Sequence, residues 1–175
     1  SPEALISAFN QIPSPMDLDG TQSAVDFSRF YSASDEMSQK FIDFQQGMLS
    51  GIANLLTAVR SHIGEDAVTA FKSEMPAGGG GGMSITLDES SLTMTGDQEA
   101  TVNEVTGKSY NLQNTSRGWM IVLTSKDEGA EMAAMMFQML APIIEAMNNA
   151  TQQINSGQIT TIDQLNDMME SAMGM

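Results

Sequence analysis

From Met37 to Ile63 the apolar residues Met37, Phe41, Phe44, Met48, Ile52, Leu55, Val59 and Ile63 follow one another at intervals of three or four. That is the spacing of one face of an α-helix. Ser34 to Gly64 therefore reads as one helix, about 45 Å long at the usual rise per residue. Ser34 is its expected N-cap, with Asp35 and Glu36 in the first turn. Arg60 and His62 fall in the last turn, where the helix dipole favours positive charge, and Gly64 is the stop signal. Ile42, Leu49 and Leu56 add a flanking apolar stripe, so the helix must be covered on more than one side.

The rest of the chain is organised around a change of period. Ser1-Pro2-Glu3 opens a first helix that presents Leu5, Ile6, Phe9 and Ile12 and ends before Pro13. Thr21 to Tyr31 reads as a second helical stretch carrying Val25, Phe27, Phe30 and Tyr31, and Glu65 to Glu74 as a short helix bearing Val68 and Phe71. Gly78 to Gly82 are five consecutive glycines. A phosphate loop needs a strand before it and Gly-Lys-Ser/Thr leading into a helix; here a helix precedes and strand-like alternation follows, so the run reads as a linker.

Beyond the glycines the period is two. Met83, Ile85 and Leu87 alternate, Leu92 and Met94 lead to a turn at Gly96-Asp97-Gln98, Ala100, Val102 and Val105 line the next run, and Tyr110 and Leu112 follow a turn at Gly107-Lys108. Trp119 to Thr124 closes the set. Turns this short cannot hold helical crossovers, so the expected sheet is an antiparallel meander of about four strands. Ser125 to Glu128 has capping-box spacing and starts a long helix marked by Met132, Met136, Met139, Ile143, Met147, Ala150 and Ile154, with a kink expected at Pro142; Thr161 with Gln164 opens a last helix. The expected class is α+β, a single domain over 1–175: a helical half at 1–76, a glycine linker at 77–82, a sheet at 83–125 and C-terminal helices at 126–175.

Composition excludes several chemistries. Seven Lys and Arg against 22 Asp and Glu give a net charge of −15, which repels phosphate backbones and anionic headgroups, so no nucleic-acid partner is expected. There is no cysteine, so thiol catalysis and Cys-ligated metal are excluded, and His62 is the lone histidine. No cofactor or metal is expected. Asp17-Leu18-Asp19-Gly20 is a turn that lacks the further ligands of a calcium loop. Apolar residues make up 41%, enough for a folded core, and methionine occurs 16 times. No stretch reaches the roughly 18 apolar residues of a membrane-spanning helix. The first residue is serine rather than methionine, from which a removed leader and an extracytoplasmic setting (periplasmic, secreted or lipid-anchored) are expected.

Leu92-Thr93-Met94-Thr95-Gly96-Asp97-Gln98-Glu99-Ala100-Thr101-Val102, then Tyr110-Asn111-Leu112 and Arg117-Gly118-Trp119-Met120-Ile121-Val122-Leu123, carry a family resemblance. Together with Pro2-Glu3-Ala4-Leu5 and Phe9, they resemble the nuclear-transport-factor-2-like, or cystatin-like, cone superfamily in its small secreted and lipoprotein-type bacterial members. The likeness covers the pattern of residues 1–125; the long Ser34–Gly64 helix and the 130–175 extension depart from a minimal cone. It implies a curved sheet wrapped on helices, around a cavity that members use for small ligands, for subunit contacts or as plain core. Enzymatic members place an Asp or Glu base there, often with His or Tyr.

Tyr110, Trp119 and His62 are the candidate ligand-binding residues, lining a cavity expected between the sheet and the long helix. Each also has a structural reading: Tyr110 and Trp119 as core anchors, His62 as a dipole-stabilised helix end. No catalytic set is assigned. Asp35-Glu36, Glu65-Asp66 and Asp88-Glu89 read as helix-start and solvent-facing charge. The expected function is a non-enzymatic binding or interaction module for a small molecule or a protein. The alternative is a cone-fold isomerase or dehydratase with a carboxylate base. A homo-oligomer through the methionine-rich C-terminal helices is a third expectation.

Overall fold

The computed structural model describes residues 1–74, 85–124 and 130–174, without the side chains of Met16 and residues 130–133. Its class is α+β. In chain order the elements are α1 (Pro2–Asn10), β1 (Tyr31–Ala33), α2 (Glu36–His62), α3 (Glu65–Glu74), β2 (Leu87–Met94), β3 (Glu99–Glu104), β4 (Ser109–Thr115), β5 (Gly118–Leu123), α4 (Ala130–Asn155) and α5 (Ile162–Ala172). They group into two compact units. The first comprises Ser1–Ile12, Asp26–Asp43 and Ser84–Ala134; the second comprises Pro13–Val25, Phe44–Met83 and Met135–Met175. The glycine run 78–82, Met83 and the capping box at 125–128 lie outside the described residues.

The first unit is built on the sheet. β2 to β5 form the expected antiparallel meander, and a fifth strand joins it in the order β1-β5-β4-β3-β2. The added strand corrects the reading of Thr21 to Tyr31 as helix. Asp26 accepts from the backbone and hydroxyl of Ser28 and folds Phe27–Arg29 into one 3-10 turn. The chain then leaves as β1, with Tyr31, Ser32 and Ala33 pairing in parallel with Ile121, Val122 and Leu123. Ser34 is likewise drawn to the sheet: its N–H and its hydroxyl both donate to the Leu123 carbonyl. The N-cap of α2 is therefore Asp35, whose carboxylate accepts from the Ser38 N–H at 2.8 Å, and not Ser34. β2 begins at Leu87, so Ile85 precedes it, and Val105 falls past the end of β3, 68% exposed.

Ser1 caps α1 by accepting from the Ala4 N–H, as expected, and α1 buries Leu5, Ile6 and Phe9. Phe9 meets the Tyr31 ring edge-on at 5.7 Å. At the far end of α1 the Asn10 side chain acts as a one-residue strand. Its amide donates to the Leu87 carbonyl and its oxygen accepts from the Leu87 N–H, both at 2.9 Å. Those two bonds satisfy backbone groups on edge strand β2 that would otherwise lack a partner.

The second unit is helical. Met48, Leu49, Ile52, Ala53, Leu55, Leu56, Ala58 and Val59 of α2 are all buried, so the main and flanking stripes are both covered. Phe44 stacks on Phe137 of α4 at 4.7 Å. One turn apart, Gly47 and Gly51 let α4 approach: a β-carbon on Gly51 would stand 2.9 Å from the Met147 methyl. α4 runs unbroken through Pro142 and stops where Gly157 turns to φ +79° and the Gln158 N–H reaches back to the Gln153 carbonyl at 2.8 Å. Thr161 caps α5 through the Gln164 N–H, as its sequence predicts. α5 is tied to α3 by a hydrogen bond from the Asn166 amide to the Glu74 carboxylate. The loop before these helices is pinned at Gly20, which has φ +86° and sits so close to α2 that a β-carbon would fall 2.6 Å from the Leu56 carbonyl oxygen.

Two substitutions test these anchors. Asn10→Ala removes both bonds to Leu87 and is expected to lower stability by about 1–3 kcal/mol in urea denaturation. Gly20→Ala combines left-handed strain with a backbone clash and is expected to cost at least about 1 kcal/mol. A variant at either position as stable as the parent would show that the contact is not made.

Candidate functional site

The first arrangement lies on one face of the sheet in the first unit. Tyr31 pairs with Ile121, Ile121 with Leu112, and Tyr110 stands two residues from Leu112 on the same strand and opposite Val102. Alternation puts all of them on one face. Tyr31, Val102, Tyr110, Leu112 and Ile121 are buried, and Phe9 and Phe27 add rings against Tyr31. At the rim the Tyr110 hydroxyl donates to a Glu104 carboxylate oxygen at 3.4 Å, and the Lys108 ammonium lies 5.3 Å from the Tyr110 ring centre.

Burial and the neighbouring Glu104 charge push the Tyr110 phenol up to about 12. Burial, reinforced by Tyr110 and Glu104, raises Tyr31 further. Both phenols are thus protonated donors at neutral pH, and that of Tyr110 is spent on Glu104.

Trp119 shares this face but pairs with Asn114, four residues from Tyr110 along β4, or about 13 Å. It is half-buried. The structure does not bring Trp119 and Tyr110 together. His62 is exposed in the last turn of α2, in the other unit. Beside it Arg60 donates to the Asp19 carbonyl at 3.2 Å and pairs with Glu65 at 3.3 Å, and Asp66 is exposed in the first turn of α3. Asp19 and Asp26 serve turns. Each lies below the usual carboxylate range, chiefly because the hydroxyl of Thr21 or Ser28 donates to it. Among the described residues no three His, Asp or Glu side chains gather to hold a metal ion, and no helix is long and apolar enough to cross a membrane.

The second arrangement is the outer face of α4. Phe137 and Ile144 turn towards α2, at Phe44 and Gly47. Met135, Met136 and Met139 turn the other way and are 65%, 48% and 76% exposed. At about 100° per residue these three occupy an arc of about 100°, with Met139 between the other two. Pro142, also exposed, continues the same face by one turn. The sequence pattern counted Met136 and Met139 among the residues that mark this helix and passed over Met135. The signal was the double pattern: apolar residues at helical spacing on both sides of the same turns, which leaves one side without a core to enter.

Comparison with protein-family models, with curated proteins and with solved structures finds no match to this chain.

The tyrosine cluster makes a pH prediction. A phenol ionises near 10 in an unfolded chain. The folded value is higher, so its stabilising contribution is complete below about pH 10 and is lost as pH rises to about 12. Denaturation midpoints should fall across that window, and Glu104→Gln should move the Tyr110 transition downward in phenolate absorbance. An unchanged titration in that variant would separate Glu104 from the phenol.

Proposed function

We propose that this chain is a non-enzymatic binding module, working outside the cytoplasm, that docks a cationic amphipathic segment of a protein partner on the open face of α4. The observation that carries the proposal is the exposure of Met135, Met136 and Met139 on the side of α4 turned away from α2. Three large apolar side chains left in water on one helix are a common mark of an interaction surface. Methionine suits that role because its unbranched side chain re-packs against different partners.

Charge supports the choice of partner. Seven acids and no base follow Lys126, so the segment that carries this face is net negative and favours a partner bearing Lys and Arg. A second copy of the same chain is the competing occupant, but it brings its own −15 and the repulsion that goes with it. The extracytoplasmic setting is part of the same proposal, and a chain without cysteine is compatible with an oxidising compartment. Placement in the cone superfamily is part of the same proposal. It is supported by α1 lying against an antiparallel sheet, with Phe9 on the Tyr31 ring.

Titration with a synthetic Leu/Lys amphipathic helix of about 18 residues, followed by calorimetry, tests the reading. Binding is expected to weaken with salt. The triple variant Met135→Ser, Met136→Ser, Met139→Ser is expected to weaken it about tenfold or more, the equivalent of about 1.4 kcal/mol of lost apolar contact. Equal binding by parent and variant, or a doubled mass in solution without peptide, would overturn it.

A further inference from the structure

The same three side chains carry chemistry that an apolar face does not need. Met135, Met136 and Met139 each end in a thioether, a soft neutral donor whose preference is for soft cations over Mg, Ca or Zn. The spacing is +1 and +4. On a helix, positions three and four apart hold their β-carbons about 5–6 Å from each other. Met139 is four residues from Met135 and three from Met136, so it neighbours both. Three rotatable bonds on each side chain let the sulfurs converge above Met139, and all three side chains are exposed. The inward needs of these turns are met by Phe137 on Phe44 and by Ile144 beside Gly47.

We propose that Met135, Met136 and Met139 form a three-thioether site for a soft monovalent cation, Cu(I), with Ag(I) as its redox-inert equivalent. The ion enters as Cu(I) and remains Cu(I). Each sulfur contributes a lone pair and displaces a water or chelator ligand from the ion, and no proton leaves. The chain's charge of −15 favours accumulation of a cation at its surface. With no cysteine in the chain, thioethers are its only sulfur ligands.

Because a thioether has no proton to lose, affinity at this site does not depend on deprotonating a ligand and stays level with pH. The inference is independent of peptide docking, and its readout is the ion alone. Met135→Leu, Met136→Leu, Met139→Leu keeps the face apolar and removes every donor.

The test titrates the full chain, labelled with ¹³C at the methionine methyls, with Ag(I). Cu(I) affinity is measured anaerobically against a colorimetric Cu(I) chelator. The expected result is one ion per chain, with the methyl signals of Met135, Met136 and Met139 moving together. The leucine variant should lose affinity by more than about a hundredfold, the upper end of what losing even an outer-shell partner costs a metal site. It should retain its circular dichroism, and His62→Gln should bind Ag(I) as the parent does. Retention of Ag(I) by the leucine variant, loss of binding in His62→Gln, or movement of other methionine methyls in place of these three would each overturn the proposal.

Discussion

The second half of α2 is the constraint on which its unit is built. From Met48 to Val59 only Ser50, Asn54 and Thr57 escape full burial, at spacings of four and three that mark a single narrow stripe open to solvent, so neighbours must enclose the rest of this stretch. A helix covered on so many faces admits its neighbours only where side chains are small. That accounts for Gly47 and Gly51, one turn apart, where Ile144 and Met147 of α4 come down on the backbone. It also accounts for Gly20, which lays the loop against the Leu56 carbonyl while Thr57 and Arg60 reach out to hold the loop carbonyls. At Gly20 a larger residue would meet backbone and separate the loop from α2, whereas at Gly51 the end of the flexible Met147 side chain would have to move aside.

The first unit solves a different problem, the free edges of its sheet. β5 would be an edge strand if the meander stood alone. β1, three residues long, pairs along it, and Ser34 adds two more hydrogen bonds to Leu123. At the opposite edge the Asn10 side chain occupies the Leu87 backbone, and the register shift between Asp88 and Thr93 bends the remainder of β2. Tyr31 links the edge strand to the core: its backbone pairs with Ile121, while its ring packs with Phe9 and Phe27.

What the sequence made legible follows from locality. α1, α2, α3 and α5 each announce themselves through periodicity and caps that act within a few residues, and the meander through alternation and short turns. β1 does not, because its stability comes from pairing with residues about 90 positions later, and no local pattern of three residues encodes that. The aromatic run Phe27, Phe30, Tyr31 satisfied a helical spacing by coincidence. Ser34 lost the capping role to its neighbour for the same reason, since Leu123 claimed its hydroxyl. Of the three candidate binding residues, strand parity put Tyr110 and Trp119 on one face, but only the register with Asn114 shows how far apart they stand. Glu104, the residue that engages Tyr110, gave no signal beyond its place before a turn.

The methionines of α4 were visible in the sequence as helix markers, but not the side they face, because composition states that a residue is apolar and not whether a core is there to receive it. Leucine at 135, 136 and 139 would serve the helix as well, since its intrinsic propensity equals that of methionine. It would present the same apolar character to a protein partner. What methionine adds is a side chain that adapts its shape and a sulfur lone pair, and the two have different physical signatures. Adaptability acts through buried area and screens with salt only to the extent that Lys and Arg accompany the partner. The lone pair acts on one ion at a time, ignores pH where imidazole does not, and vanishes on replacement by leucine. Only the second depends on the spacing by which Met139 neighbours both Met135 and Met136 on the helix surface.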